Sequence, residues 1–362
     1  MAHNIRASDR AAFKRCRRRW DLGSRNRQNH EPIDPHGTVD LDRALRDALA
    51  VYYFPGMWEW SRSIVQSLVH QALDRSLQAQ RNDGVDEQTY SQALTRGHAL
   101  LDAYAAWAPS VDHFTPVLIN AEFEVNIPDP DSAVPDAVLT TQDGEAIRYT
   151  DRIDMLVLDE NDAYWAVQHR LVTDAWAEQD MLVLDERTVA WCWAWPLFYL
   201  DMRLAGTMYN QIRADVGDSG AAPSGVPGQQ RMLHRRMYAR AVEVPRERVR
   251  VEGTDTFRRT RIARHDSELA AAGRDLAAEA RAATEPGLAV YPSPGPEICA
   301  SCAYRPPCLA MNEGGDATGV LAEFYRHRPP EVIEAGRLGG TTWSMGRGAA
   351  PPSWARPESP RS

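Results

Sequence analysis

The spacing of apolar positions changes along the chain, and each change marks an element. In residues 36–53, "HGTVDLDRALRDALAVYY", the residues Val39, Leu41, Leu45 and Leu49 share one helical face, so a helix opens after Gly37. Residues 60–107 carry two further amphipathic helices around the turn "RNDGVD". From Thr115 to about Val172 the period falls to two, with turn signals at Asp-Gly and Glu-Asn-Asp, which predicts a meander of three or four strands. One strand, "AYWAVQHRLV" (163–172), sets Gln168 and Arg170 two apart on one face. The stretch 186–206, "ERTVAWCWAWPLFYLDMRLAG", is the most apolar helix, and its aromatic stripe reads as core. "GTMYNQIRADV" adds a strand, residues 217–230 a Gly/Ser/Pro loop, and residues 256–284 a long helix. At the front, residues 6–30 read as a basic, mostly helical segment with Ser8 as its N-cap. Helices, then antiparallel strands, then helix and strand predict an α/β fold with a mixed sheet, and no internal repeat is present.

Composition narrows this picture. The 362 residues are 43% hydrophobic and 25% charged, as in an ordinary globular protein. One large domain over 1–337 accommodates the elements, with 60–107 as a helical insertion and 338–362 as a disordered tail. No apolar run reaches the roughly 20 residues of a membrane helix, and "MAHNIRASDR" lacks a signal-peptide core, so a cytoplasmic protein without a membrane partner is expected. The net charge of −9 argues against nucleic-acid binding over a broad surface. "FKRCRRRW" and "RRMYARAVEVPRERVR" leave room for a local basic groove, with Arg15, Arg17, Arg18 and Arg19 as first candidates and Arg235 and Arg236 as weaker ones. Lys14 is the single lysine among 41 basic side chains.

Five cysteines are unevenly placed. Cys299, Cys302 and Cys308 form C-x2-C-x5-C in "EICASCAYRPPCLAM", Cys16 lies near the other end, and Cys192 sits inside the apolar helix as a small core residue. Three clustered thiols plus a distant one make a four-sulfur metal site that would clip the segments 6–30 and 290–316 together. Zinc usually takes two close pairs, and a three-plus-one set suits an iron–sulfur cluster at least as well; four unrelated buried thiols are the plain alternative.

On these cysteines, the chain resembles the RecB-like exonucleases of the PD-(D/E)XK superfamily that carry an iron–sulfur cluster, in the branch found in CRISPR systems and phages. The likeness spans roughly residues 6–316. Its specific parts are "SDRAAFKRCRRRWDL" and "YPSPGPEICASCAYRPPCLAMNEGGD". The resemblance implies a restriction-endonuclease-like core, a mixed central sheet flanked by helices, with a [4Fe–4S] cluster on Cys16, Cys299, Cys302 and Cys308. It also implies a catalytic hairpin in "YTDRIDMLVLDENDAYWAVQHRLV". There Asp154 stands at the first acid, Gln168 at the second acid, His169 between, and Arg170 at the lysine. Glu122 on the preceding strand is a further contributor. Arg187 and Trp191 take the Gln and Tyr places of the next helix, and Leu41 the place of a histidine.

Such a site hydrolyses phosphodiesters with Mg²⁺ or Mn²⁺, hard cations that want carboxylate oxygens. Gln168 offers a neutral oxygen instead, and Arg170 keeps its charge but cannot act as a base. The expected protein is therefore a catalytically impaired nuclease relative that binds DNA ends or single strands, within a DNA-processing or defence assembly. Two alternatives stand beside it. One is an active exonuclease using Mg²⁺ or Mn²⁺ at a divergent site. The other is a cluster-bearing scaffold that binds a protein partner through "YYFPGMWEW" and "AWCWAWPLFY", which otherwise read as core.

Overall fold

The computed structural model describes residues 3–33, 39–82, 85–173, 175–199, 202–214 and 248–329. The protein is α/β, a mixed central sheet flanked by helices. The sheet is built from β1 (His3–Arg6), β3 (Phe114–Asn126), β4 (Ile147–Asp159), β5 (Tyr164–Val172), β6 (Leu204–Arg213), β7 (Val249–Gly253) and β8 (Phe257–Ala263). A short pair, β2 (His30–Pro32) with β9 (Tyr325–His327), lies apart.

β4 organises the sheet. One of its edges pairs antiparallel with β3 along its length. The other edge carries β1, parallel, over Ile147–Thr150, and then β5, antiparallel, over Met155–Leu158. Residues 151–154 therefore face a break between two neighbours. β5 continues beyond β4 and pairs parallel with β6, which pairs with β8, which pairs with β7.

The helix periods place both outer layers. α3 (Leu41–Tyr52), α4 (Arg62–Asn82) and α5 (Glu87–Trp107) cover one face, burying Leu45, Leu49, Leu73 and Leu100 against Met155, Val157 and Val167. The two expected helices in 60–107 are thus present and share a core with α3. α7 (Glu186–Phe198), after the short α6 (Gln179–Val183), and α8 (Asp266–Thr284) cover the other face around Trp191, Trp195 and Leu276. Cys192 is fully buried there, and burial pushes its thiol up to about 11, as expected of a core residue. At one end lie α1 (Ala7–Arg15), α2 (Arg17–Gly23), α9 (Pro296–Ala300), α10 (Arg305–Glu313) and α11 (Ala317–Phe324). A small core of Leu22, Tyr304, Leu321 and Tyr325 joins α2 to the segment 304–325.

Three sequence readings need correction. The first helix begins at Ala7, before Ser8, and its N-cap residue Arg6 donates its backbone N–H to Asp9 Oδ2 (3.4 Å). The helix opening after Gly37 begins at Leu41, with Asp40 accepting from the Arg43 N–H; Gly37 itself lies outside the described residues. The long helix over 256–284 is a strand, β8, followed by a helix from Asp266. Its "FRRTRIA" hides an inward side chain, because Arg259 is buried in an ion pair with Asp112 and not displayed. Arg235, Arg236, the 217–230 loop and the tail 338–362 lie outside the described residues. Among the described residues no helix is long and apolar enough to cross a membrane.

Candidate functional site

The break beside β4 is where the predicted hairpin residues meet. Val167 pairs with Met155, so Gln168 stands across from Asp154 where the strands part. Beyond that point β5 has no strand on its β4 side, and its N–H groups must find other acceptors. Two carboxylates serve. The His169 N–H donates to Asp154 Oδ2 (2.9 Å), and the Leu171 N–H donates to Asp42 Oδ1 (2.6 Å). Asp42 comes from the first turn of α3 and also pairs with Arg46 one turn on (3.0 Å).

Asp154 and Gln168 are both buried, at 6% and 7% exposure. Gln168 Oε1 has no hydrogen-bond partner among the described residues. Burial raises the Asp154 carboxyl above its usual range. The His169 N–H and the charges of Arg46, Arg152 and Arg187 hold part of that rise back. Arg170 leaves the strand half-exposed, with Nη2 donating to Asp185 Oδ2 (3.2 Å) and its guanidinium 5.9 Å from the Tyr209 ring centroid. Asp185 is also the N-cap of α7.

Arg187 and Trp191, one turn apart on α7, converge on a third carboxylate, Asp151. Arg187 donates to both Asp151 oxygens (3.0 and 2.8 Å), the Trp191 indole N–H to Oδ2 (2.6 Å), and the Tyr149 hydroxyl to the same atom (3.2 Å). His169 points to the other face, stacked 5.8 Å from the Tyr53 ring at 12°. Its Nδ1 lies 2.9 Å from the Asn210 amide nitrogen, so the ring accepts there and is neutral. Burial first, then Arg259 and Arg46, pull its pKa down to about 3.

Glu122 does not join this site. Ile147, Tyr149 and Ile153 belong to the core on the α7 side, whereas Met155 and Val157 belong to the α3 side. The alternation changes phase at Asp154, opposite Asn120, whose φ is 50°. Ala121 and Phe123 pack on the α7 side, so Glu122 between them is exposed on the opposite face, across from Arg152. Leu41, at the expected histidine place, is a buried contact of the α3 core. Asp42, Arg46, Asp151 and Asp185 are site residues that the sequence pattern did not single out.

These side chains do not fit a catalytic Mg²⁺ or Mn²⁺. The donors left over are the second Asp154 oxygen and the Gln168 amide oxygen, with three guanidiniums bearing on that carboxylate. Among the described residues no group of three or more His, Cys, Asp or Glu is arranged to hold a metal ion.

Cys16 lies at the other end of α1, and Cys299, Cys302 and Cys308 lie in the returning segment that packs against α1 and α2. Cys16 separates α1 from α2 in extended backbone (φ −165°), is buried, and accepts from the Ser293 N–H at Sγ (3.4 Å). Cys299 lies within α9, Cys302 follows that helix, and Cys308 lies in α10, its Sγ 3.5 Å from Arg18 Nη1. All are free thiols. The donor chemistry, four thiols with N–H groups aimed at two of the sulfurs, suits an iron–sulfur cluster.

The basic run fastens this junction. Arg15 donates to the Glu297 carbonyl (3.3 Å), and Arg18 to Asn312 Oδ1 (2.8 Å). Arg17 lies over the rings of Phe13 and Tyr291 (5.3 and 5.0 Å) and donates to the Ala289 carbonyl (3.5 Å). Of the four proposed DNA contacts, only Arg19 has no hydrogen-bond or ion-pair partner among the described residues. No family model matches the chain, and no curated protein matches it in sequence.

Proposed function

We propose that the chain is a RecB-like, PD-(D/E)XK-type protein that binds DNA ends or single strands without cutting them, as a subunit of a DNA-processing or defence assembly. One observation carries the reading. The carboxylates at the strand break, Asp42, Asp151, Asp154 and Asp185, already accept from backbone N–H groups or guanidiniums. A metal-dependent nuclease needs such oxygens for its cation, and here they hold the strands and helices in place. The parting of β4 and β5 at Asp154, with Gln168 and Arg170 on the next strand, supports the family likeness. The unpartnered Gln168 Oε1 favours the second reading, an exonuclease that is still active.

Cys16, Cys299, Cys302 and Cys308 would hold a [4Fe–4S] cluster, which supplies a structural fastening between the chain ends. Protein purified without oxygen should then carry about four iron and four sulfide per chain, with visible thiolate-to-iron absorption. Stoichiometric zinc instead would replace the cluster with a zinc clip.

DNA held mainly through phosphates releases counterions on binding. Affinity for single-stranded oligonucleotides should therefore fall by about tenfold or more between 50 and 200 mM salt, read by fluorescence anisotropy. No detectable binding at low salt would end the DNA reading and leave the scaffold, which copurification of a protein partner would support.

A further inference from the structure

A cleft of about 360 Å³ opens where α1 and α2 meet the returning chain at Tyr304 and Arg328. Arg6, Arg19, Arg25 and Arg328 line it, against a single acid, Asp9. In a chain of net charge −9 this is a local reversal of sign. Arg6, Arg25 and Arg328 are each held in part by the protein itself. Arg328 donates to the Gly23 carbonyl, lies 3.5 Å from the Tyr304 hydroxyl and 3.3 Å from Glu31, and Arg25 donates to the Pro329 carbonyl (2.8 Å). Arg328 uses three of its five N–H groups in these contacts. Arg19, half-buried in the same wall, has no partner of its own among the described residues.

The wall is built closely. A Cβ on Gly23 would run into the Tyr304 hydroxyl, so the backbone approaches that ring as only glycine permits. The Tyr304 hydroxyl donates to the His30 carbonyl (2.7 Å), which fixes the ring at the cleft floor.

From this convergence we propose that the cleft binds a phosphate group at the end of a nucleic-acid strand. Planar guanidiniums match phosphate oxygens in pairs, and the space suits a phosphate with the nucleotide behind it. The lining is polar and cationic, which reads a phosphate and not a base. The inference rests on the DNA reading above and gives it a location, in place of the charge-balanced gap at Asp154. A free nucleotide or pyrophosphate offers the same chemistry from another source.

The test uses full-length protein purified without oxygen and oligonucleotides of one sequence, with a 5′-phosphate, a 3′-phosphate or neither. One phosphorylated end should bind about tenfold more tightly than the unphosphorylated strand, the scale of one added charge-assisted contact. Arg19→Gln and Arg25→Gln should each erase that preference, while Arg274→Gln, on the exposed face of α8, should leave it. Pyrophosphate should compete only against the phosphorylated strand. Equal binding of all three strands, unmoved by Arg19→Gln, would overturn the cleft and leave the DNA reading standing. Pyrophosphate binding that needs Arg19, with no oligonucleotide bound, would keep the phosphate site and remove the DNA reading.

Discussion

Replacing Arg259 by leucine should lower the unfolding free energy by about 3–5 kcal/mol, the cost of leaving a buried charge without its partner. Arg259 is 2% exposed and pairs with the buried Asp112. It also donates to the Val111 carbonyl (3.1 Å), the hydroxyls of Tyr53 and Tyr104 (3.2 and 3.1 Å) and Asn210 Oδ1 (3.3 Å). Leucine fills part of the volume but strands a carboxylate among aromatic rings. Removing both charges, Arg259→Leu with Asp112→Leu, should recover most of the loss, because paired ions in a core roughly break even against apolar residues. Urea denaturation of the four proteins in the cycle measures this. If the double variant is as unstable as the sum of the singles, the ion pair is not what ties β8 to the helical layer.

Stability should also fall steeply with acid through His169. Its folded pKa lies at about 3, against 6.5 in the unfolded chain. Between those values the unfolded chain binds a proton that the folded protein refuses. The stability present above pH 6.5 is then lost as pH falls, by about 1.4 kcal/mol per pH unit from this group. His169→Gln keeps an acceptor for the Asn210 amide and has no proton to gain, so its denaturation midpoint should fall less between pH 7 and pH 5. Parallel acid slopes in the two proteins would mean that other groups set the dependence. The residue matters for the site because its N–H holds Asp154 against β5.

The parts of the fold legible in the sequence are those with local patterns. The helices of 60–107 and the hairpin of β4 and β5 follow from their apolar periods, and the core helix α7 from its apolar run, though it ends at Phe198 and β6 takes over from Leu204, inside the expected helix. β1 is four residues long and finds its partner at Ile147, so no neighbouring pattern announces it. β8 was hidden because Arg259 points inward toward an aspartate 147 residues away. At the candidate site, Asp154, Gln168 and Arg170 do meet, since strand alternation fixes them. Glu122 misses because the phase slip at Asp154 and Asn120 turns it to the other face. Asp42 and Arg46 carried a readable sign, an i,i+4 pair in the first turns of α3, but nothing local points that turn at β5. The arginines beside Cys16 look like a free basic face, yet three of them fasten the C-terminal segment.

The most direct measurement is a paired binding and cleavage assay on protein purified without oxygen, with single-stranded and duplex DNA in Mg²⁺, Mn²⁺ or EDTA. The wild type is run beside Asp154→Ala and the double variant Gln168→Glu with Arg170→Lys. The wild type is expected to bind DNA equally in all three conditions and to leave it intact. Cutting gained by the double variant would add that the strand assignment is right. Metal-dependent cleavage by the wild type that disappears in Asp154→Ala would contradict the account and make the protein an enzyme.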